Sequence, residues 1–308
     1  SKMSRYFFRK WFSAALQRLY ERGLLQYPYT EFYGHLKHGQ ADWDNWDSTR
    51  FPGDESAELI SDKKTLVDLY VAMYGTWHYF QFLNLISDPE LNPNAREEEV
   101  VVVDIGAGPG TAMVACLDFE RWQKFPQLLA YDRSKVMCDY LTEFFEKISN
   151  DTDLNMPTAL AEKINKAQIF KSTFGIEADS VTSGDFVESL REHMRDLNGK
   201  SVKICLSFII ANKADGDNVR LAQLNDFIAL LSEAIIFCLE QGASTVQLVC
   251  QNPQNDYYLD DAHTYFDRGL ISIRKLMKNH GVHNSQSVKK QFADRSFDWN
   301  NLHRLFQK

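Results

Sequence analysis

Apolar positions recur at helical spacing over residues 1–25. Phe7, Phe8, Trp11, Phe12, Ala15, Leu16, Leu19 and Tyr20 follow the 3.6-residue period, with Arg5, Arg9, Arg18 and Arg22 among them. Gly23 is a stop signal. Residues 41–62 lose the pattern. They are rich in Asp, Trp, Pro and Gly and read as an ordered loop pinned by aromatic side chains. Helical periodicity returns over 63–86, carried by Leu66, Leu69, Tyr70, Met73, Trp77 and Phe80. Asp88-Pro89 and Asn92-Pro93-Asn94 then break the chain.

After residue 99 the pattern changes to alternating strands and helices. Residues 100–105 form a continuous run of β-branched type, the mark of a strand buried on both faces. A helix is predicted over 111–122, a short strand over 128–131, and a helix over 134–148. Residues 151–180 are polar and ambiguous. A strand follows over 202–210, a helix over 218–240 ended by Gly242, a strand over 245–250 and another over 285–292. This order predicts an α/β fold with a mainly parallel, helix-covered sheet and ligands outside the carboxyl ends of its strands. The change of character places a boundary near residue 97, dividing an N-terminal helical lobe (1–97) that covers the site from a core (98–308). There is no internal repeat.

The most specific chemical signal is Val103-Asp104-Ile105-Gly106-Ala107-Gly108-Pro109-Gly110-Thr111, directly after a buried strand and before a helix. Glycines there let the backbone turn sharply and approach a ligand. The spacing is Gly-x-Gly-x-Gly, and Thr111 stands where a dinucleotide fingerprint has its third glycine. Asp104, two places before Gly106, would repel a pyrophosphate but can pair with an ammonium group. The loop therefore suits a cationic amino-acid ligand such as the methionine moiety of S-adenosylmethionine. Asp132, followed by Arg133, ends the second strand, where a carboxylate can accept both hydroxyls of a ribose. In Ser183-Gly184-Asp185-Phe186, Asp185 is a candidate acceptor for an adenine amino group, with Phe186 packing nearby.

At Asp104 to Gly110 and at Asp132 the chain resembles the class I methyltransferase superfamily, over about residues 98–252. The resemblance implies a Rossmann-like, seven-stranded methyltransferase core and S-adenosylmethionine as cofactor. Cofactor contacts are expected from Asp104, Gly106, Ala107, Gly108, Gly110, Asp132, Arg133, Gly184, Asp185, Phe186 and Ser207. The stretches 104–112 and 132–137 also resemble the ribosomal small-subunit methyltransferase-like proteins of mitochondria and bacteria, although the iron–sulfur cysteine cluster of many members has no counterpart here.

The segment after the fourth strand, Leu206-Ser207-Phe208-Ile209-Ile210-Ala211-Asn212-Lys213, lacks the Pro-Pro signature of amino-group nucleic-acid methyltransferases. Asn212, Lys213 and Asn252 are acceptor-side candidates because they follow strands four and five. Cys205 and Cys250 read as core thiols, since no Pro-Cys motif accompanies them. His280-Gly281-Val282-His283 reads as a polar loop, lacking a third ligand. Trp43, Trp46, Tyr74, Trp77 and Tyr79 are either a stacking lid or packing between lobe and sheet.

Charge adds a partner class. The net charge is −8. Residues 1–40 hold seven Lys/Arg against two Asp/Glu, and residues 268–308 hold nine against two, which leaves the middle at −20. Such segregation points to an anionic partner, RNA or a ribonucleoprotein, bound by a rim of Arg5, Arg9, Lys10, Arg274, Lys275, Lys278, Lys289 and Lys290. A small-molecule or protein acceptor, and an inactive binding or assembly protein, are the competing readings. The five cysteines lack close pairing and there is no membrane-spanning apolar run, so an intracellular, reducing compartment is expected, cytoplasmic first and organellar second.

Overall fold

The computed structural model describes residues 5–22, 63–87, 99–119, 127–132, 135–151, 168–171, 183–194, 196–207, 217–251, 284–289 and 302–307. The strands are β1 (Glu99–Ile105), β2 (Gln127–Asp132), β3 (Gln168–Lys171), β4 (Lys200–Ser207), β5 (Thr245–Gln251), β6 (Asn284–Lys289) and β7 (Leu302–Gln307). The helices are α1 (Tyr6–Glu21), α2 (Lys63–Ile86), α3 (Thr111–Phe119), α4 (Lys135–Ser149), α5 (Ser183–His193) and α6 (Asp217–Glu240). The strands lie in the order β3-β2-β1-β4-β5-β7-β6. β1 to β5 pair in parallel, and β7 runs antiparallel between β5 and β6.

The parallel α/β sheet agrees with the sequence pattern, and the reason is visible in side-chain alternation. Val101, Val103 and Ile105 face one way with Val202, Ile204, Leu206, Val246 and Leu248, and are covered by α5 and α6. Val100 and Val102 face the other way with Leu128, Ala130, Cys205 and Val249, and are covered by α1, α2, α3 and α4. Both faces are buried, so both sets of alternating positions must be apolar, and the strand reads as an unbroken run. Three elements went unassigned in the pattern: residues 168–171 and 302–307 are strands, and 183–193 form a helix. The strand expected over 202–210 is β4, starting at Lys200. The loop read over 41–62 lies outside the described residues.

The two N-terminal helices share the core of the sheet. Phe7, Phe8, Trp11, Ala15, Val67, Val71 and Phe82 belong to the same apolar cluster as Val100, Val102 and Ala112. Burying a side chain as large as Phe or Trp is worth roughly 1.5–3 kcal/mol, so this aromatic density holds α1 firmly. Gly75 allows the crossing of α1 over α2: a Cβ there would stand 3.0 Å from the Trp11 ring. Polar contacts complete the docking. Arg18 of α1 forks onto Asp68 of α2, with Nε–Oδ2 and Nη2–Oδ1 distances of 3.0 and 2.9 Å, and Tyr140 of α4 donates to the same carboxylate at 2.7 Å. No capping side chain of its own closes the start of α1. Asp118, in the last turn of α3, caps it instead by accepting the N–H groups of Phe7 and Phe8 at 2.9 and 3.0 Å.

Candidate functional site

The glycine loop joins β1 to α3, where the parallel register sets Ile105 between Tyr131 of β2 and Leu206 of β4. Gly106, Gly108 and Gly110 all have positive φ, at 65°, 56° and 99°. Two of them do different things. A Cβ on Gly110 would stand 2.3 Å from Leu141 Cδ1, so this glycine lets the loop lie against α4. A Cβ on Gly108 would meet nothing within 4 Å, so this glycine faces open space. That open side is where a ligand can approach the backbone. The turn is held by Ala107 N–H donating to Tyr131 O at 2.9 Å and Gly110 N–H donating to Ala107 O at 3.0 Å.

Four strand ends bring polar side chains to the α2 side of the sheet at its carboxyl edge. Asp104 is fully buried, and neither of its carboxylate oxygens has a hydrogen-bond partner among the described residues. Burial drives its pKa well above the usual carboxylate range, and the nearby charge of Asp132 adds to the shift. The Met113 N–H in the first turn of α3 opposes that shift. Asp132, half-buried at the end of β2, accepts the Gly108 N–H at 2.8 Å and so ties the second strand to the loop. Ser207 at the end of β4 is in register with Gln251 at the end of β5. Gln251 Nε2 donates to Ser207 Oγ at 2.6 Å and to His78 O of α2 at 3.3 Å.

Not every expected contact gathers here. Gly184 and Asp185 stand in the first turn of α5. Phe186 is completely buried, edge-on to Tyr131 with ring centroids 4.8 Å apart, so it anchors α5 to the core and offers no face to a ligand. Arg133, Asn212, Lys213, Asn252 and the His280–His283 stretch lie outside the described residues. The aromatic group divides. Tyr79 is core, fully buried and donating to Asp118 at 2.7 Å, whereas Tyr74 and Trp77 are 37% and 50% exposed. Trp43 and Trp46 are not described. All five cysteines are buried free thiols, as expected of core residues; Cys116 and Cys205 stand 4.0 Å apart. No cluster of metal ligands occurs among the described residues, and no described helix is long and apolar enough to cross a membrane.

Gln251 and His78 were not candidates from the sequence. A polar residue closing an apolar strand run was the available signal for Gln251, one position before the Asn252 that was chosen. Nothing in the sequence marks His78 as its partner, because that contact spans 173 residues.

Neither a family model nor a curated protein matches the chain. Solved structures of methyltransferases resemble it at low identity. The methyltransferase domain of bacterial CtHen1-CN is 14% identical, with a TM-score of 0.41 over 74% of this chain and 99% of that one. An O-methyltransferase from Bacillus cereus in complex with SAH is 8% identical, at 0.37 over 76% and 80%. An rRNA methylase from Streptococcus thermophilus is 13% identical, at 0.36 over 76% and 96%.

Proposed function

We propose that this protein is an S-adenosylmethionine-dependent methyltransferase of the class I type, acting on RNA or a ribonucleoprotein. The observation that carries the cofactor reading is the pairing of an open-sided glycine loop with a buried, unpartnered carboxylate. Gly108 leaves room for a ligand against the backbone, and Asp104 is a buried carboxyl with no hydrogen-bond partner among the described residues. An ammonium group would stabilise its ionised form, whereas a diphosphate would not. Asp132 at the end of β2 is placed for a ribose, and Gly106, Ala107 and Gly110 shape the cradle. Bound there, the cofactor supplies a methyl group made electrophilic by its sulfonium charge. The protein's own task is then to hold an acceptor in line and keep water out, and the ends of β4 and β5 are the place for it.

Thermal unfolding with ligands tests the cofactor. S-adenosylmethionine or its demethylated product is expected to raise the melting temperature, by the equivalent of about 2.7 kcal/mol at a hundredfold excess over the dissociation constant. A shift with NAD alone would replace the reading with an oxidoreductase one.

The acceptor reading rests on the segregation of charge along the chain. Part of the N-terminal charge is already committed: Lys10 pairs with Asp151 at 3.2 Å and Arg18 with Asp68. That commitment favours a protein or small-molecule acceptor as the second reading. Labelled methyl transfer to fractionated cell extract separates the two. RNA binding that weakens linearly with the logarithm of salt concentration supports the first.

A further inference from the structure

Among the described residues, Gln251 leaves one side-chain polar atom without a partner. Its side chain is fully buried. Both amide hydrogens are used, on Ser207 Oγ and His78 O. Its Oε1 is buried and has no partner among the described residues. The orientation is fixed, because an amide oxygen turned toward His78 O would set two acceptors against each other. A buried carbonyl left unpaired costs free energy comparable to a lost hydrogen bond, so native structures keep few of them. β5 lies two strands from β1, and at about 4.8 Å per strand its end stands roughly 10 Å from the glycine loop. That is too far for the part of the cofactor held by the loop, and it suits whatever lies beyond.

The neighbouring face of α2 supplies a second, independent observation. Tyr70, Tyr74, Trp77 and His78 share one side of the helix through their spacing. The Tyr74 and His78 rings stack at 5.4 Å with an interplanar angle of 11°. Tyr74 and Trp77 present ring surface outward, although each has contacts of its own. His78, at the inner end of the face, is the residue whose carbonyl holds Gln251. Burial pushes its pKa down to about 3, so the ring is neutral at physiological pH and adds no charge to the platform. Flat rings of this kind bind nucleobases of any sequence through their π-faces.

We propose that the α2 face bearing the exposed rings of Tyr74 and Trp77, with His78 packed behind Tyr74, forms with Gln251 Oε1 the subsite for the methyl acceptor, a base of single-stranded RNA that stacks on those two rings and donates a hydrogen bond to the amide oxygen. This inference rests on the methyltransferase reading above and deepens it, because it names the residues that select a planar, donor-bearing group.

The experiment uses the full chain, a fluorescein-labelled single-stranded RNA decamer of mixed sequence, and S-adenosylmethionine. Tyr74→Ala is expected to weaken RNA binding by roughly tenfold in fluorescence anisotropy, while Tyr74→Phe keeps it within about twofold, since the ring and not the hydroxyl stacks. Gln251→Met, of similar shape without polar atoms, is expected to raise the KM for RNA by about fivefold. Calorimetric affinity for S-adenosylmethionine stays unchanged in all three. Crosslinking of 4-thiouridine-bearing RNA to the wild-type protein, which needs no variant, is expected to give adducts within residues 70–81. Adducts confined to other segments would overturn the subsite. So would unchanged RNA binding and KM in folded Tyr74→Ala and Gln251→Met, or label entering only protein or small molecules. Failure of the wild-type protein to bind S-adenosylmethionine removes the underlying reading instead, and the inference falls with it.

Discussion

A carboxylate sealed from water without a hydrogen-bond partner is costly to keep ionised, and Asp104 has none among the described residues. Its pKa is raised in the folded chain, so its favourable contribution is complete below the unfolded value near 3.8 and is lost as pH rises through the folded value. We expect Asp104→Asn to raise the stability of the ligand-free protein by about 1–2 kcal/mol and to weaken S-adenosylmethionine binding at least tenfold. Chemical denaturation and calorimetry on one preparation check both signs; unchanged affinity would remove Asp104 from the site. Wild-type affinity should also rise with pH, because an ammonium partner holds the carboxylate ionised. His78 has the opposite sign. Its pKa falls to about 3, so its contribution is present above the unfolded value near 6.5 and is lost on acidification. Between pH 7.5 and 5.5 the wild type should lose about 1.4 kcal/mol more stability than His78→Phe, a difference in which Asp104 cancels. The glycines separate the same way. Gly110→Ala drives a Cβ into Leu141 and should unfold the loop, whereas Gly108→Ala meets only open space and φ strain. It should cost about 1 kcal/mol of stability but most of the cofactor affinity. Asp104, the glycines and Asp132 could be nominated from the sequence because their spacing is local. Phe186 misled, because an aromatic beside a candidate ligand residue reads the same whether it faces the ligand or the core.

At the level of elements, α1, α2 and α4 are joined by the Arg18–Asp68–Tyr140 contacts. Asp68 is almost wholly buried and Arg18 keeps only partial exposure. Truncating the acid leaves a half-buried guanidinium and a buried phenol without their acceptor. Asp68→Ala should therefore cost about 3 kcal/mol or more, and paired Arg18→Met with Asp68→Leu much less, by urea unfolding. Helix and strand limits were readable wherever an amphipathic stripe or an unbroken apolar run existed; the periodicity over 63–86 matches α2 as found. β3 and β7 were not readable. Both are short, and β7 (Leu302–Gln307) carries His303, Arg304 and Gln307 among its apolar residues, so neither period stands out. Its place is fixed by backbone pairing with β5 and β6, a contact that no local pattern encodes. α5 went unassigned because its opening residues, Ser183 and Gly184, also suit turns.

Across the whole molecule, the described residues of the sheet form two cores and a polar corner. The α5–α6 face is apolar to its carboxyl edge, ending in Ile105, Leu206 and Cys250. The α2 face ends in Asp104, Asp132, Ser207 and Gln251, which is why the proposed chemistry gathers there. α1 begins far from that corner: Phe7 and Phe8 sit at Asp118, at the opposite end of α3 from the glycine loop. Arg9 therefore lies near the carboxylate of Asp118, and Lys10 pairs with Asp151. If RNA is bound, neutralising Arg5 and Arg9 should flatten its salt dependence less than neutralising Lys289 and Lys290 does, as read by binding at several salt concentrations. The same cap sets an order of events during synthesis. The carboxylate that closes α1 is made 111 residues after Phe7, which at about 5–20 residues per second is a delay of roughly 6–20 s. In that interval α1, with its exposed row of aromatic side chains, has neither its cap nor the sheet that buries it. On the ribosome it is a sticky, unfinished segment, and a chaperone that shields aromatic helices should hold nascent chains shorter than Asp118 and release longer ones.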